Sequence, residues 1–379
     1  MMCAVGDYTY RLAQTLSQDP AIKVAVLTSK KAQAPNSTPA AVEVLPVAKS
    51  WSWHEAWSII KAARAWKPDI VHIQFPSVGF SSRLLPALLP LFLRMAGIQV
   101  TQTLHFSCEA KQALRAMPVR LLSLFVVPGG QFVVHDSFQR WMSRWFFRHK
   151  IVRRTRTASA IPAVTLTPAE RERIRAKYAR PNTTMIAYFG FLYPSKGAER
   201  LFQIADIEST HIVMVGGFFR ESELTMIPPA WRKKNVGYAN SIRELAESAP
   251  WKDRVTVTGF LPPHEAAAVL AAADAVVLPF MHGRDNANTS VYGAQAQGTF
   301  LLTTATDRNG YCEEENTYYA PPHDVEVMKQ ALKQYAGTRA ERGPASERDW
   351  QAIFDAHREL YRAQLLTKAK GDGATASSM

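Results

Sequence analysis

A pair of parallel, doubly wound α/β domains is the fold class this sequence predicts, on three observations. Short, nearly continuous apolar runs alternate with longer amphipathic stretches, the pattern of strands covered by helices on both faces of a sheet. The alternation occurs twice, on either side of a run of small residues and prolines, TASAIPAVTLTPAE at 157–170, which reads as a connector. The length, 379 residues, suffices for two hydrophobic cores.

In the first half, the runs Ile22–Thr28, Val42–Val47, Ile70–Gln74, Val100–His105 and Phe132–His135 read as strands. Helices are expected around them at Asp7–Leu16, Trp51–Trp66 and Ser137–Phe147. After the connector, PAERERIRAKY opens a helix, with Pro168 in the first turn where its missing N–H is no loss. Met185–Phe189 reads as a strand ending in a turn at Gly190. A loop with Pro194 and Lys196-Gly197 then leads into a helix with Leu201, Phe202 and Ile204 on its inner side. Further strands are expected at 211–216, 254–258, 275–279 and 300–303. A last helical stretch, Ser346 to Thr367, precedes the small polar tail GDGATASSM, whose composition predicts disorder. The expected domains are 1–160 and 161–345, with 346–379 as closing helix and tail.

Composition narrows the function. A content of 47% hydrophobic and 20% charged residues excludes a disordered chain. Cys3, Cys108 and Cys312 lie far apart, without metal-ligand spacing, which predicts a reducing compartment and no disulfide framework. The chain opens MMCAVGDYTY, without the basic and then apolar segments of a secretory leader. The longest apolar run, Leu84 to Leu93, is interrupted by prolines and bounded by Arg83 and Arg94; it falls short of the ~20 residues of a membrane span.

The net charge of +13 is unevenly placed. Residues 1–160 hold 20 Lys and Arg against 7 Asp and Glu, whereas residues 161–379 hold 25 of each. So basic a domain seeks a polyanion, either nucleic acid or the anionic lipid of a cytoplasmic leaflet. The densest part, Arg140 to Arg156, mixes Arg144, Arg148, Lys150, Arg153, Arg154 and Arg156 with Trp141, Trp145, Phe146 and Phe147. This fits a helix in a membrane interface, or a surface helix whose aromatics enter the core. The basic character of the whole domain favours the membrane. No nucleic-acid-binding module accompanies the charge, so nucleic acid is not an expected partner.

The stretch YFGFLYPSKGAERL, 188–201, carries the most functional information. A lysine and backbone N–H groups at a strand-to-helix turn suit a diphosphate. With HIVMVGG at 211–217, VTVTGFLP at 255–262 and AVVLPF at 275–280, it resembles the C-terminal half of nucleotide-sugar glycosyltransferases of the GT-B fold, the group 1 family. The resemblance covers most of the chain and is strongest over 184–304. It implies two Rossmann-like domains facing each other across a cleft, with the last helices crossing back to the first. It implies transfer of a sugar from a nucleoside diphosphate to an acceptor hydroxyl, with retention of configuration. CAVGDYTYRLAQTL resembles the family's glycine-rich loop and first helix. In the family a strand precedes that loop, and here only Met1 and Met2 do. The first domain is therefore expected to lack a central strand or to start at an upstream codon, the latter being favoured.

By the same resemblance Lys196 contacts the diphosphate, with Gly190 and Gly217 at the neighbouring strand ends on the donor side. The arginine that the family places shortly after the strand reads Phe191, with Arg220 and Arg284 as substitutes. The family's two glutamates, with seven residues between them, fall at Asp285, which keeps a carboxylate for the donor sugar, and Gly293, which keeps none for the ribose. Some branches carry a small polar turn instead. Asn288, Thr289 and Ser290 occupy it, and either bind the diphosphate or merely cap the helix. In the first domain Gly6 and Asp7 face diphosphate and acceptor, unless Asp7 is only a cap. His105, ending VTQTLH, contacts the transferred sugar. His135 lines the cleft, and Gln74, Phe75, Pro76 and Ser77 form the acceptor side. Trp51, Trp53, Trp57 and Trp66 border an acceptor lipid or pack in the core, the core being favoured. Thr258-Gly259-Phe260 and Leu278-Pro279 frame the nucleobase.

The expected enzyme is thus a glycosyltransferase with His105, Lys196 and Asp285 as catalytic residues. No Asp-x-Asp argues for a divalent cation at the phosphates, so the expectation is no metal and no cofactor beyond a UDP- or GDP-sugar substrate. The expected acceptor is a lipid-linked or surface-polysaccharide precursor at the inner face of the cell membrane, with the protein cytoplasmic and peripheral. The losses at Phe191 and Gly293 and the absent strand leave a second reading, an inactive GT-B homologue serving a transferase as membrane-bound partner. A polyanion-binding protein without sugar chemistry explains the charge but not the second domain.

Overall fold

A computed structural model of the chain describes residues 4–30, 32, 38–75, 80, 83–105, 131–133, 152–154, 157–159, 161–206, 208–216, 229–284, 288–340 and 350–376. The chain divides into an N-terminal unit, residues 1–157 with 350–379, and a C-terminal unit, residues 158–349.

The N-terminal unit opens with α1 (Ala4–Leu16), which buries Tyr8, Leu12, Ala13 and Leu16 at helical spacing. Gly6, expected in the loop, and Asp7, expected where loop and helix meet, both lie inside this helix, which starts three residues earlier than expected. A carboxylate in the first turn suits the positive end of the helix, and the Thr9 hydroxyl donates back to the Val5 carbonyl at 2.6 Å. Two parallel strands follow, β1 (Val24–Ser29) and β2 (Val42–Ala48). A 3-10 turn, Trp53–Glu55, leads into α2 (Ala56–Trp66), which buries Ile59, Ile60 and Ala63. Next come β3 (Ile70–Phe75), α3 (Leu85–Met95), β4 (Gln99–Leu104), β5 (Gln131–Val133) and β6 (Val152–Arg154). Arg153 and Arg154, read from the sequence as part of a basic helix, are in β6, which pairs parallel with β5. The rest of that segment, 140–151 and 155–156, and the helix expected at Ser137–Phe147 lie outside the described residues. The strands fall into two sheets, β1-β2 and β3-β4-β5-β6, every pair parallel.

The C-terminal unit starts at the connector. α4 (Pro168–Tyr178) is entered through a capping box, in which the Thr167 hydroxyl accepts from the Glu170 N–H and the Glu170 carboxylate accepts from the Thr167 N–H. The unit continues with β7 (Thr184–Phe189), α5 (Leu201–Ile204), β8 (Thr210–Val215), α6 (Pro229–Glu247), β9 (Val255–Gly259) and α7 (Pro263–Ala272). Then follow β10 (Ala275–Leu278), α8 (Thr289–Gln295), β11 (Leu301–Thr304), β12 (Gly310–Cys312), β13 (Thr317–Ala320) and α9 (Val325–Tyr335). The sheet order is β12-β13-β11-β10-β7-β8-β9. It is parallel except for the edge strand β12, which forms an antiparallel hairpin with β13. The sheet is therefore mixed, where the sequence predicted an all-parallel one. Four residues separate β12 from β13, enough for a hairpin and too few for a crossover helix. The helix expected after Lys196-Gly197 is shorter than predicted, two 3-10 turns and then the single turn of α5. The left-handed backbone of Gly197 breaks its start and extended Ala205 its end.

The last helix, α10 (Trp350–Ala376), belongs to the N-terminal unit. Its Tyr361 hydroxyl bonds His72 at 2.6 Å, and its Gln364 carbonyl accepts from the Thr101 hydroxyl at 2.6 Å. It runs to Ala376, so residues 371–376 of the polar tail are helical rather than disordered. A turn docked against the sheet nucleates the helix, and each further residue adds a hydrogen bond at little cost.

Candidate functional site

In the C-terminal sheet β8 and β9 extend one way from β7, while β10, β11 and β13 extend the other. The carboxyl ends of β7 and β10 therefore meet at a topological switch point, where open α/β sheets take their ligands. Gly190 follows β7 there with φ +133°, and its N–H donates to the Val215 carbonyl at 3.1 Å. Ser290, in the first turn of α8, lies against it. Gly197 has φ +64°, and a Cβ there would stand 2.2 Å from the Pro279 carbonyl oxygen. Only a glycine lets the loop after β7 press so closely on the end of β10. Met281 N–H clamps the same contact by donating to the Ser195 carbonyl at 3.0 Å.

The clamp fixes Lys196. Its ammonium lies 4.7 Å from the centre of the Phe280 ring and donates to Asn288 Oδ1 at 3.0 Å. Asn288 stands at the cap position of α8, yet its side chain makes no capping hydrogen bond; its oxygen goes to the lysine instead. Five of the donor-side residues expected from sequence, Gly190, Lys196, Asn288, Thr289 and Ser290, thus lie in one place. Asp285, Gly217 and Arg220 lie outside the described residues.

The neighbouring positions are apolar or engaged. Gly293 is in α8, and a Cβ there would stand 3.1 Å from the Phe189 ring and 3.3 Å from Ile161 Cγ1. Two hydrophobic side chains thus fill the space beside it. Arg284 is bound to Asp307 at 3.3 Å and lies 5.2 Å from the centre of the Tyr319 ring.

Sequence reasoning missed Arg200. It is buried; its guanidinium donates to His323 Nδ1 at 2.6 Å and reaches the Pro279 carbonyl at 3.5 Å, bracing the end of β10. Its place beside the buried Ala198 and Leu201 was the available signal. Tyr238 was also missed: its hydroxyl accepts from the Ala198 N–H at 2.8 Å and bonds the Glu199 carboxylate, holding the turn after Gly197.

In the N-terminal unit, His105 follows β4 and Gln74 is near the end of β3. His105 Nε2 donates to Gln74 Oε1 at 2.7 Å, and the His105 N–H donates to the Phe75 carbonyl at 2.8 Å. The Tyr8 ring meets the imidazole edge-on at 4.9 Å and lies 5.2 Å from Trp350. Gly6 and Asp7, both exposed, precede Tyr8 in α1. Tyr8 and Trp350 were not foreseen, although Tyr8 lies inside the GDYTY motif. Behind this group His72 bonds the hydroxyls of Tyr361 at 2.6 Å and Thr103 at 2.7 Å. Burial first, then His357 and His105, hold His72 well below its ordinary value, and burial brings His357 down to about 4. His135, Pro76 and Ser77 lie outside the described residues.

The tryptophans divide. Trp51 is buried against Phe80, with ring centres 4.8 Å apart, and Trp66 Nε1 donates to Glu43 at 2.7 Å. Trp53 and Trp57 are 47% and 71% exposed. Phe260 is likewise exposed. Among the described residues no helix is long and apolar enough to cross a membrane.

The family "Glycosyl transferase 4-like domain" matches residues 4–189, and "Glycosyl transferases group 1" matches residues 170–342. No curated protein sequence matches the chain. Among solved structures, sucrose-phosphate synthase from Thermosynechococcus elongatus is similar with TM-score 0.68 at 18% identity, over 95% of this chain and 93% of that one. HepE of Anabaena, in complex with UDP and glucose, is similar with TM-score 0.64 at 15% identity, over 94% and 95%. WaaG, a glycosyltransferase involved in lipopolysaccharide biosynthesis, is similar with TM-score 0.55 at 15% identity, over 96% and 91%. At such identities the likeness concerns the fold. With two glycosyltransferase domains matched in succession and a pair of Rossmann-like α/β domains, the chain belongs to the group 1 glycosyltransferases of the GT-B fold.

Proposed function

We propose that this glycosyltransferase takes a UDP- or GDP-sugar and passes the sugar to a lipid-linked or surface-polysaccharide acceptor at the cytoplasmic face of a membrane. The observation that carries the donor site is the Lys196–Asn288 pair at the β7/β10 switch point. The amide oxygen holds the ammonium in a neutral contact that a diphosphate displaces at a gain, because charge-assisted bonds are the stronger ones. UDP is the first choice of nucleotide, since the HepE structures contain UDP, alone, with glucose or as UDP-glucose.

In the reaction the bond from the anomeric carbon to the diphosphate oxygen breaks and a bond to the acceptor oxygen forms. The acceptor proton leaves with the nucleoside diphosphate. Lys196 offsets the charge that grows on the departing phosphate. His105, its ring held by Gln74 and Tyr8, donates to a hydroxyl of the transferred sugar. Asp285 is proposed as the carboxylate on that sugar, with Gly190, Ser290, Thr289, Gly6 and Gly217 as backbone and hydroxyl contacts to the donor. Asp7 and His135 are proposed on the acceptor side with Gln74. Transfer is proposed to retain configuration and to need no metal, since a lysine and main-chain N–H groups meet the diphosphate charge.

The membrane proposal has its own support. On α2, Trp57, Lys61 and Arg64 recur at helical spacing and are all exposed, with Trp53 just before them. Aromatic and basic side chains on one face suit a headgroup layer.

The inactive-homologue reading draws on Gly293, whose surroundings are filled by Phe189 and Ile161. Calorimetric titration with UDP, GDP and ADP, followed by turnover of UDP-glucose with and without EDTA, separates the two. Micromolar binding of one nucleotide with EDTA-resistant turnover supports the transferase. No binding by folded protein sinks it.

A further inference from the structure

Arg200 is a buried cation whose partners are all neutral. It is 5% exposed and ends the 3-10 turn that follows Gly197. Its guanidinium donates to His323 Nδ1 at 2.6 Å and reaches the Pro279 carbonyl at 3.5 Å. Arginine has only donors, so Nδ1 is the accepting nitrogen of an uncharged ring. Building on the nucleoside diphosphate donor proposed above, we propose that Arg200 is a second positive charge of the donor site, one that the fold leaves unbalanced and the diphosphate balances.

A buried charge ordinarily has a partner of opposite sign. The arginines that follow β10 and β11 have one: Arg284 pairs with Asp307, and Arg308 with Glu315. Among the described residues no carboxylate pairs with Arg200. The two carboxylates adjacent to the pair in sequence are engaged elsewhere. Glu199 bonds the Tyr238 hydroxyl, and Asp324 accepts from the Val327 N–H at 3.0 Å, capping α9.

Helix ends do not supply the missing negative charge. Arg200 stands at the amino end of α5, and His323 lies two residues before α9. Helix starts are themselves positive. Arg339 makes the contrast. It too forms no ion pair among the described residues, but it donates to the Ala271 and Ala273 carbonyls at the carboxyl end of α7, where a cation belongs.

Lys196 and Arg200 both face the end of β10. Arg200 reaches Pro279, and the Lys196 ammonium lies 4.7 Å from the centre of the next residue's ring, that of Phe280. Gly197, between the two cations in sequence, presses on the same Pro279 oxygen. Both charges therefore bear on the β7/β10 switch point. Being buried, Arg200 acts by its field rather than by contact, and burial keeps solvent and salt from screening that field as they would at the surface. The site so built favours a nucleoside diphosphate over an uncharged nucleoside.

Position 323 allows charge to be changed without shape. Histidine Nδ1 and the Oδ1 of aspartate or asparagine stand the same number of bonds from the backbone, and both residues tolerate the φ of +77° found there. His323→Asp gives Arg200 a carboxylate, and His323→Asn gives it an uncharged oxygen in the same place. In calorimetric titrations UDP is expected to bind His323→Asp about 10-fold more weakly than His323→Asn, although the Asp variant melts no lower. Uridine, which carries no charge, is expected to bind the two alike. Arg200→Lys keeps the charge but cannot bridge both acceptors, and it should retain more UDP affinity than Arg200→Gln. Equal UDP affinity in the two folded variants at 323 overturns the proposal, and so does an equal loss of uridine and UDP binding. Arg200→Lys as weak as Arg200→Gln would reduce Arg200 to a brace for β10. Wild-type protein that binds no nucleotide overturns the donor reading and this one together, whereas equal UDP binding by the variants at 323 overturns this one alone.

Discussion

Asn288 holds Lys196, through a 3.0 Å bond from Nζ to Oδ1, at a helix start where an asparagine would ordinarily cap. The amide oxygen thus helps to position the ammonium. Lys196→Ala is expected to weaken UDP binding about 10- to 100-fold, the loss of one charge-assisted contact. Asn288→Ala should cost less than about 5-fold, since the ammonium survives. Asn288→Asp should cost more than Asn288→Ala, because a carboxylate competes with the diphosphate. Calorimetry with UDP ranks all three, and equal affinity in wild type and Lys196→Ala would refute the assignment.

The loop that carries the lysine depends on Gly197. A Cβ there would meet the Pro279 oxygen at 2.2 Å, on a left-handed backbone. Gly197→Ala is expected to destabilise the C-terminal unit by about 3 kcal/mol or more. Denaturant titration followed by the fluorescence of Trp251, buried in that unit, reads the loss. A change below about 1 kcal/mol would mean that the loop moves off β10 freely.

Restoring a carboxylate at 293 should not improve the site. Phe189 and Ile161 occupy the space that the side chain would enter, so Gly293→Glu is expected to cost about 1–3 kcal/mol by overpacking and to leave UDP affinity no better. Adding Phe189→Ala should recover part of the stability. A tighter-binding single mutant would show that the pocket opens in that direction.

Acid should weaken the N-terminal unit through its buried histidines. His357 is held down to about 4 by burial, against an ordinary 6.5, and His72 is lowered in the same direction. Between those values the unfolded chain binds protons that the folded chain does not, so stability falls as pH drops from about 6.5 toward 4. The loss from His357 alone is on the order of 2–3 kcal/mol. Melting curves at pH 7.5 and pH 5 should differ less in His357→Gln, and an unchanged difference would remove the histidine as the cause.

Binding to vesicles of phosphatidylserine and phosphatidylcholine should fall when Trp57→Ser is combined with Lys61→Glu. Each basic residue near such a surface contributes about 1 kcal/mol, so a drop of about 10-fold or more is expected. Wild-type protein that ignores anionic vesicles at low salt would rule out the membrane role.

Elements that follow a local rule could be read from the residues. The central strands and the helix at Pro168 lie within two residues of their expected places, because apolar runs, a capping box and a proline act over a few neighbours. Gly190 and Lys196 fall just after β7, as expected, for the same reason: the turn that follows a strand is set by its nearest neighbours. The hairpin of β12 and β13 was not legible, since nothing local in Gly310–Cys312 distinguishes a sheet edge from a loop.

Tertiary structure alone decided which side chains meet. The Asn288 oxygen faces a choice between its own helix and Lys196, 92 residues earlier in the chain. The clamp of Gly197 on Pro279 settles it by bringing the lysine within reach. Gln74 and His105 share a hydrogen bond because β3 and β4 pair in parallel with Gln74 opposite Thr103. Arg200 finds its partner in His323, 123 residues later in the chain. In each case the deciding free energy comes from removing a polar group from water only where another polar group waits, and that partner lies on a different element, brought near only by the folding of the chain.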